Sequence, residues 1–143
     1  MIFESASVEQ TKQIAADIVG QLQGGETLLL EGDLGSGKTT FVQGLADALK
    51  ADHARSPTFS IMNVYQTNHS KIRELVHLDF YRMKNPRELA ELGLEEWLGR
   101  KDAVVVIEWP GVVADAAFKN PIRVQLSVVN ASERRIDISF GNR

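Results

Sequence analysis

The chain has 143 residues, about the size of one domain, and 43% of them are hydrophobic, enough for one substantial core. Its 16 basic and 19 acidic residues give a formal net charge of −3, so it lacks the basic surplus of proteins that wrap nucleic acid. The absence of cysteine excludes disulfides, thiolate catalysis and cysteine-ligated metals. The sequence contains neither a signal peptide nor an apolar window of about 20 residues that would span a bilayer. We therefore expect a single domain over residues 1–143 that stays in the cytoplasm.

The first 25 residues predict a short edge strand over residues 1–6 and then a helix. Ser7 and Gln10 have the spacing of a capping box, in which two side chains bind main-chain N–H groups at the start of a helix. Small and apolar residues recur at helical spacing until Gly24 and Gly25, which we expect to end the helix. The face that they share consists of Val8, Thr11, Ala15, Ile18 and Leu22.

Residues 26–50 contain an apolar run, a glycine-rich turn and then helical periodicity. Residues 32–39 fit the pattern G-x-x-x-x-G-K-[ST] of a phosphate-binding loop, whose glycines let consecutive N–H groups turn inward around phosphate oxygens. The helix that should begin near Lys38 adds unpaired N–H groups and the positive end of its dipole. A buried strand at residues 27–30 and a helical face supply the context that such a loop requires, so the segment predicts a nucleotide-binding site. That helical face is Phe41, Leu45, Ala48 and Leu49.

Two side chains at the end of the loop have chemistry suited to a nucleotide. The Lys38 ammonium group would bridge the β- and γ-phosphates, and the Thr39 hydroxyl would ligate Mg²⁺. The first helix precedes the strand of the loop, so its early residues could flank the nucleotide base. For Thr11, the residues alone favour an ordinary buried helix position.

A stiff turn follows the helix of the phosphate loop. Pro57 fixes its own φ and favours extended backbone at Ser56. Thr58 on this turn could sense the γ-phosphate and Mg²⁺, as switch loops do in GTPases. A plain turn into the next strand would have the same sequence, and the residues favour neither interpretation.

Two acidic residues are predicted at the carboxyl ends of strands. A hairpin over residues 59–81 delivers Asp79 near the end of its second strand, and an apolar, buried strand at residues 103–107 is followed by Glu108. Ligands of open α/β sheets bind at this edge, so either carboxylate could hold Mg²⁺ or orient the attacking water. A solvated surface carboxylate is the alternative for each. Trp109 is either a wall of the phosphate pocket or an ordinary core aromatic.

The remaining segments are predicted to be structural. Asn85 and Pro86 start a helix that should end at Gly99. Residues 112–118 favour a short helix, and the final segments alternate as an antiparallel hairpin over residues 122–140. The whole pattern predicts an α/β fold of the three-layer P-loop NTPase type, with a mixed, mostly parallel sheet flanked by helices and antiparallel hairpins.

The order of four motifs resembles the TsaE (YjeE) family of small bacterial P-loop ATPases. The resemblance covers nearly the whole chain, from about Thr11 to the final hairpin. Ser36 stands where the family usually has alanine, and Ile14 stands where glycine is frequent. The motifs are the phosphate loop at 32–40, S-P-T-F at 56–59, H-x-D-x-Y-R at 77–82 and E-W-P at 108–110.

This resemblance implies a role in the threonylcarbamoyl (t6A) modification of adenosine 37 in tRNAs that read codons beginning with A. Family members bind the TsaD–TsaB heterodimer, which performs the transfer, and their ATP hydrolysis sustains the cycle, so contact with tRNA would be indirect. The resemblance implies catalytic roles for Lys38, Asp79 and Glu108, with Mg²⁺ held by Thr39 and Glu108. It also implies that Thr11 lies in the nucleotide pocket. Together with the motifs, the residues expected around ATP are Thr11, Gly35, Ser36, Gly37, Lys38, Thr39, Thr40, Thr58 and Trp109.

Three other functions are weighed against this one. A P-loop kinase for a small molecule or nucleotide needs an acceptor pocket and a lid with arginines, and the 35 residues after Glu108 are mostly hairpin. A nucleotide-gated binding module, in which hydrolysis is incidental, would bind its partner with different affinity in its two nucleotide states. A regulatory GTPase is least favoured, because the chain contains no N-K-x-D element for guanine.

Overall fold

The computed structural model describes residues 1–33, 35–52, 62–80, 91, 93–108, 118 and 120–141. Several predicted features lie outside these residues: the turn with Thr58, Trp109, the helix start at Asn85 and all but the last residue of the short helix at 112–118. None of the described helices is long and apolar enough to cross a membrane. The described elements in chain order are β1 (Ile2–Ser5), α1 (Val8–Val19), β2 (Thr27–Glu31), α2 (Lys38–Ala48), β3 (Met62–Gln66), β4 (Glu74–Asp79), α3 (Leu94–Trp97), β5 (Ala103–Glu108), β6 (Ile122–Val128) and β7 (Arg134–Ser139).

The strands form one mixed sheet in the order β1-β7-β6-β2-β5-β4-β3. The central strands β6, β2, β5 and β4 are parallel, whereas β3, β7 and β1 pair in the antiparallel sense at the two flanks. This arrangement confirms the predicted fold class, both hairpins and the edge strand at the N-terminus. The sequence did not reveal that β6 lies beside β2, so that the strand of the phosphate loop is enclosed by parallel neighbours on both sides.

Two apolar cores cover the two faces of the sheet, because side chains alternate along each strand. Leu28 and Leu30 of β2 face one core and Leu29 faces the other. The helices α1 and α2 both lie on the first face, and α3 lies on the second, which gives the predicted three layers. The first core includes Ile18, Phe41, Leu45, Val104 and Val106. The second includes Val76, Leu78, Leu94, Val105, Ile107 and Phe118.

The predicted cap of α1 is present, but the helix is shorter than predicted. The Gln10 N–H group donates to Ser7 Oγ at 3.1 Å, and the Ala6 N–H group donates to Gln10 Oε1 at 2.6 Å. The helix ends at Val19, and tighter turns of the i→i+3 type then carry the chain onward, so the glycines at 24 and 25 do not end it. Val8 belongs to the shared face of the predicted helix but is 54% exposed, because it lies in the first turn at the rim of a surface cavity.

The helix predicted from Asn85 to Gly99 is interrupted in its described part. Gly93 has a φ of 71°, a left-handed conformation that glycine adopts without steric penalty, and α3 begins directly after it. The break lets Leu94 enter the second core. Gly99 has a φ of 76° after α3, in agreement with the predicted helix end.

The packing of α1 on α2 depends on a glycine inside α2. A Cβ atom on Gly44 would lie 2.7 Å from Lys12 Cα and 2.9 Å from Ala15 Cβ. Real Cβ atoms do not approach other heavy atoms this closely, so a larger residue at this position would push the two helices apart.

We predict that Gly44→Ala destabilises the protein by about 1–3 kcal/mol through overpacking, although the same change in an open helix stabilises by about 0.5–1 kcal/mol. The measurement is the free energy of unfolding in urea. Gln43→Ala, at an exposed position of the same helix, is the matched control and should leave stability nearly unchanged. A more stable Gly44→Ala variant would contradict the tight contact between the helices.

Candidate functional site

The phosphate-loop pattern connects β2 to α2, as predicted. Gly37 precedes α2 with a φ of 103°, so the chain enters the helix from a left-handed residue. Gly32 has no room for a side chain, because a Cβ atom there would lie 2.5 Å from the carbonyl oxygen of Leu126 in β6. The start of α2 therefore presents main-chain N–H groups at the carboxyl edge of the sheet, which is an arrangement suited to an anion.

The Lys38 side chain folds back over the start of the loop. Its ammonium group donates to the carbonyl oxygen of Gly32 and, at 3.2 Å, to that of Asp33. Burial lowers the pKa of Lys38 below its usual value, and the negative charges of Glu108, then Asp79, then Asp33 act in the opposite direction. The loop lysine and the two predicted strand-end carboxylates thus belong to one electrostatic cluster.

The register of two parallel strands brings the carboxylates together. Asp79 at the end of β4 is paired with Glu108 at the end of β5. Glu108 is buried and Asp79 is half-buried. The structure thus brings both carboxylates beside Lys38, and their membership of a nucleotide site and the role of each stay predictions.

His77 also belongs to this cluster, although its position in the sequence predicted no role for it. Its Nε2 atom lies 2.7 Å from Glu108 Oε2. His77 precedes Asp79 by two residues, so both side chains are on the same face of β4. The H-x-D spacing is the signal in the sequence that could have identified it.

A cavity of about 320 Å³ lies beside the loop, between the start of α1 and the turn that joins β6 to β7. Thr11, Gly35, Gly37 and Thr40 line it, so four of the predicted nucleotide residues meet there. Thr11 is also buried, and its Oγ1 atom lies 2.7 Å from Ser5 Oγ. Thr11 is therefore a buried helix residue that also borders the cavity, and its contact with a nucleotide stays a prediction.

Arg134 closes the other side of the cavity, and the sequence analysis had not assigned it to a site. Its Nε atom donates to the Gly35 carbonyl oxygen at 3.1 Å, and its Nη1 atom donates to the carbonyl oxygens of Asn130 and Glu133 at 2.9 and 3.0 Å. The guanidinium group thus ties the β6–β7 turn to the phosphate loop. Because Arg134 and Gly35 are 99 positions apart, no local sequence signal could have revealed this contact.

The other predicted site residues differ in their surroundings. Thr39, directly after Lys38, is exposed at the start of α2. Thr58 and Trp109 lie outside the described residues, so their roles stay predictions. Within the described part of the chain, no three His, Asp or Glu side chains form a cluster that could hold a metal ion by themselves.

Ser36 has a buried hydroxyl group inside the loop. The residue is 1% exposed, and its Oγ atom is the only buried side-chain polar atom among the described residues without a hydrogen-bond partner. A buried hydroxyl without a partner has lost its hydrogen bonds to water and gained none in return.

We predict that Ser36→Ala stabilises the protein by about 1 kcal/mol in the absence of nucleotide, since it removes the desolvated hydroxyl at little cost in packing. Thermal and urea unfolding measure the effect. Ser127→Ala, at an exposed position of β6, is the control and should change stability by no more than about 0.5 kcal/mol. A destabilised Ser36→Ala variant would mean that the hydroxyl has a partner in solution.

Comparison with known proteins agrees with the motifs. A family model described as threonylcarbamoyl adenosine biosynthesis protein TsaE matches residues 5–136. Proteins named tRNA threonylcarbamoyladenosine biosynthesis protein TsaE are similar to the chain in Bacillus subtilis (33% identity over 143 residues, 99% of this chain and 87% of the relative) and in Aquifex aeolicus (39% over 106 residues, 72% and 71%). The crystal structure of Bacillus subtilis YdiB superposes with a TM-score of 0.78 at 28% identity, over 99% of this chain and 86% of that one. The resemblance inferred from the motifs is confirmed, and the chain belongs to the TsaE family.

Proposed function

We propose that this protein is a Mg²⁺-dependent ATPase that serves the threonylcarbamoyl modification of adenosine 37 in tRNAs reading codons that begin with A. It hydrolyses ATP slowly and acts on a TsaD–TsaB complex in the cytoplasm. The observation that carries the ATPase proposal is the meeting of a phosphate loop, Lys38 and two strand-end carboxylates at one edge of the sheet. Membership of the TsaE family supports the assignment to tRNA modification.

The loop has the groups that a triphosphate requires. The main-chain N–H groups of Gly35 and Gly37 and of the start of α2 would bind phosphate oxygens, whereas the Ser36 N–H group donates to the Asp33 carbonyl oxygen at 3.0 Å. Lys38 already has its ammonium group over the loop, where it contacts two carbonyl oxygens. A phosphate oxygen is a stronger partner than a neutral carbonyl because its hydrogen bond to an ammonium group is assisted by charge on both sides.

The two carboxylates are suited to Mg²⁺ that is already bound to the phosphates of ATP. Mg²⁺ usually retains several waters and takes one or two protein ligands in addition to the phosphates, so a full cage of side chains is unnecessary. We assign these ligands to the Thr39 hydroxyl and Glu108, and we assign Asp79 to orienting the water that attacks. Bound Mg²⁺ would neutralise charge on the phosphates during transfer to water.

The cavity beside the loop is the proposed place for the nucleoside. Its volume of about 320 Å³ lies at the lower end of the range for small-molecule sites. It adjoins Gly35 and Gly37 of the loop, so a nucleoside within it would be connected directly to the phosphates. Thr11 borders it on one side and Arg134 on the other, and a guanidinium plane can stack on a purine ring.

The proposed partner follows from which protein would bind the tRNA. A chain with a net charge of −3 has little general attraction for the tRNA backbone, so we propose that the TsaD–TsaB complex holds the tRNA. The role of this chain is then to couple ATP hydrolysis to that complex.

We predict that Lys38→Ala weakens Mg²⁺–ATP binding by at least about 10-fold, because charge-assisted hydrogen bonds to phosphate contribute about 1.5–3 kcal/mol. Calorimetry on the pure chain measures binding, and phosphate release with added TsaD–TsaB measures hydrolysis, which should fall at least as far. Lys71→Ala, an exposed lysine outside the site, is the control. Full ATPase activity in Lys38→Ala would exclude the proposed mechanism.

We predict that Arg134→Gln weakens binding of ATP by about 5- to 30-fold, mainly through loss of a cation that stacks on the nucleoside. Binding of inorganic triphosphate should weaken much less, because that ligand has no nucleoside. Arg135→Gln is the matched control, since Arg135 is the next residue of β7 and is exposed. Equal losses for the two ligands would place the effect of Arg134 on the loop rather than on the nucleoside.

A further inference from the structure

His77 and Glu108 are diagonal neighbours on two parallel strands. In the register of β4 with β5, Asp79 is opposite Glu108 and His77 is opposite Val106. Side chains two residues apart on a strand point to the same face, so all three polar side chains lie on the face that carries α2. This geometry brings an imidazole within reach of the Glu108 carboxylate without any contribution from a loop.

The bond between them is short and shielded from water. His77 Nε2 lies 2.7 Å from Glu108 Oε2, and the two side chains are 17% and 8% exposed. An ionised carboxylate has only acceptors, so Nε2 carries the hydrogen and donates it. Within the part of the chain that the structure describes, this is the only hydrogen bond made by the Glu108 side chain. One of its two oxygens is therefore held and the other has no described partner.

We propose that His77 is a positioning residue that holds Oε2 of Glu108 so that Oε1 can serve Mg²⁺. The inference rests on the proposed function, in which Glu108 ligates the ion. Outer hydrogen-bond partners of this kind orient the ligands of metal sites and raise metal affinity. Here the orientation matters because the Lys38 ammonium group is close enough to attract the same carboxylate. Without His77, Glu108 would be able to turn toward the lysine.

Two amide variants of His77 distinguish a role in orienting Glu108 from a role in packing alone. In His77→Gln the side-chain NH₂ group can reach about the position of Nε2, whereas in His77→Asn it is one methylene too short. Both variants are polar and uncharged, so they differ mainly in whether the bond to Glu108 can form. His69→Asn is the control, because His69 belongs to the turn of the same hairpin and its Nδ1 atom accepts bonds from that turn instead.

The experiment measures ATP binding by the full chain as Mg²⁺ is titrated, and again in EDTA. We expect His77→Asn to raise the Mg²⁺ concentration at half-saturation by about 10-fold while changing ATP affinity in EDTA by less than about 2-fold. His77→Gln and His69→Asn should stay close to the unmodified protein in both conditions. Circular dichroism and thermal unfolding confirm that each variant is folded at the temperature used.

Three outcomes would overturn the inference. An unchanged Mg²⁺ midpoint in folded His77→Asn would show that Glu108 needs no orienting bond. Equal losses of ATP affinity with Mg²⁺ and in EDTA would show that His77 supports the fold of the site and not its ion. Failure of the unmodified protein to bind ATP at any Mg²⁺ concentration would instead remove the proposed function, and the inference with it.

Discussion

The buried ammonium group of Lys38 is the constraint on which the arrangement of the site depends. A charge removed from water is costly unless hydrogen bonds and opposite charges compensate it. The carbonyl oxygens of Gly32 and Asp33 supply the hydrogen bonds, and Glu108 and Asp79 supply opposite charge. The loop and the ends of β4 and β5 must therefore lie together. The same groups would suit a phosphate with its metal ion. The ammonium group would partner the phosphate, and the carboxylates would partner the ion.

The walls of the cavity beside the phosphate loop come from distant parts of the chain that tight contacts hold in place. On one side, Gly44 allows α1 to approach α2 closely, and Thr11 of α1 is joined to Ser5 of the edge strand. On the other side, Arg134 joins the β6–β7 turn to Gly35 of the loop. A change in the packing of α1 would alter the cavity without touching the loop itself. The scaffold around the phosphate loop is thus part of the site.

Several expectations about the scaffold were wrong for identifiable reasons. Val8 fits the apolar period of α1, yet it is exposed at a cavity rim, because periodicity does not tell where the partner layer ends. The first helix ends at Val19 before its glycines are reached, and Gly93 interrupts the helix predicted as far as Gly99. Leu22, after the end of α1, enters the first core, and Leu94, after Gly93, enters the second. The central strands β2 and β5 were predicted more reliably, because their apolar runs are buried on both faces.

By itself, the sequence determined the phosphate loop, the capped first helix, the two hairpins, the buried strand before Glu108 and the family. These features are local: glycines at positions that need unusual backbone angles, and apolar residues at a fixed period. Only the tertiary structure decided that β6 lies beside β2, that Asp79 is paired with Glu108, that His77 contacts Glu108 and that Arg134 contacts Gly35. These contacts depend on strand order and register, which are set by the packing of the entire sheet. The pattern of residues along one strand or helix does not reveal them.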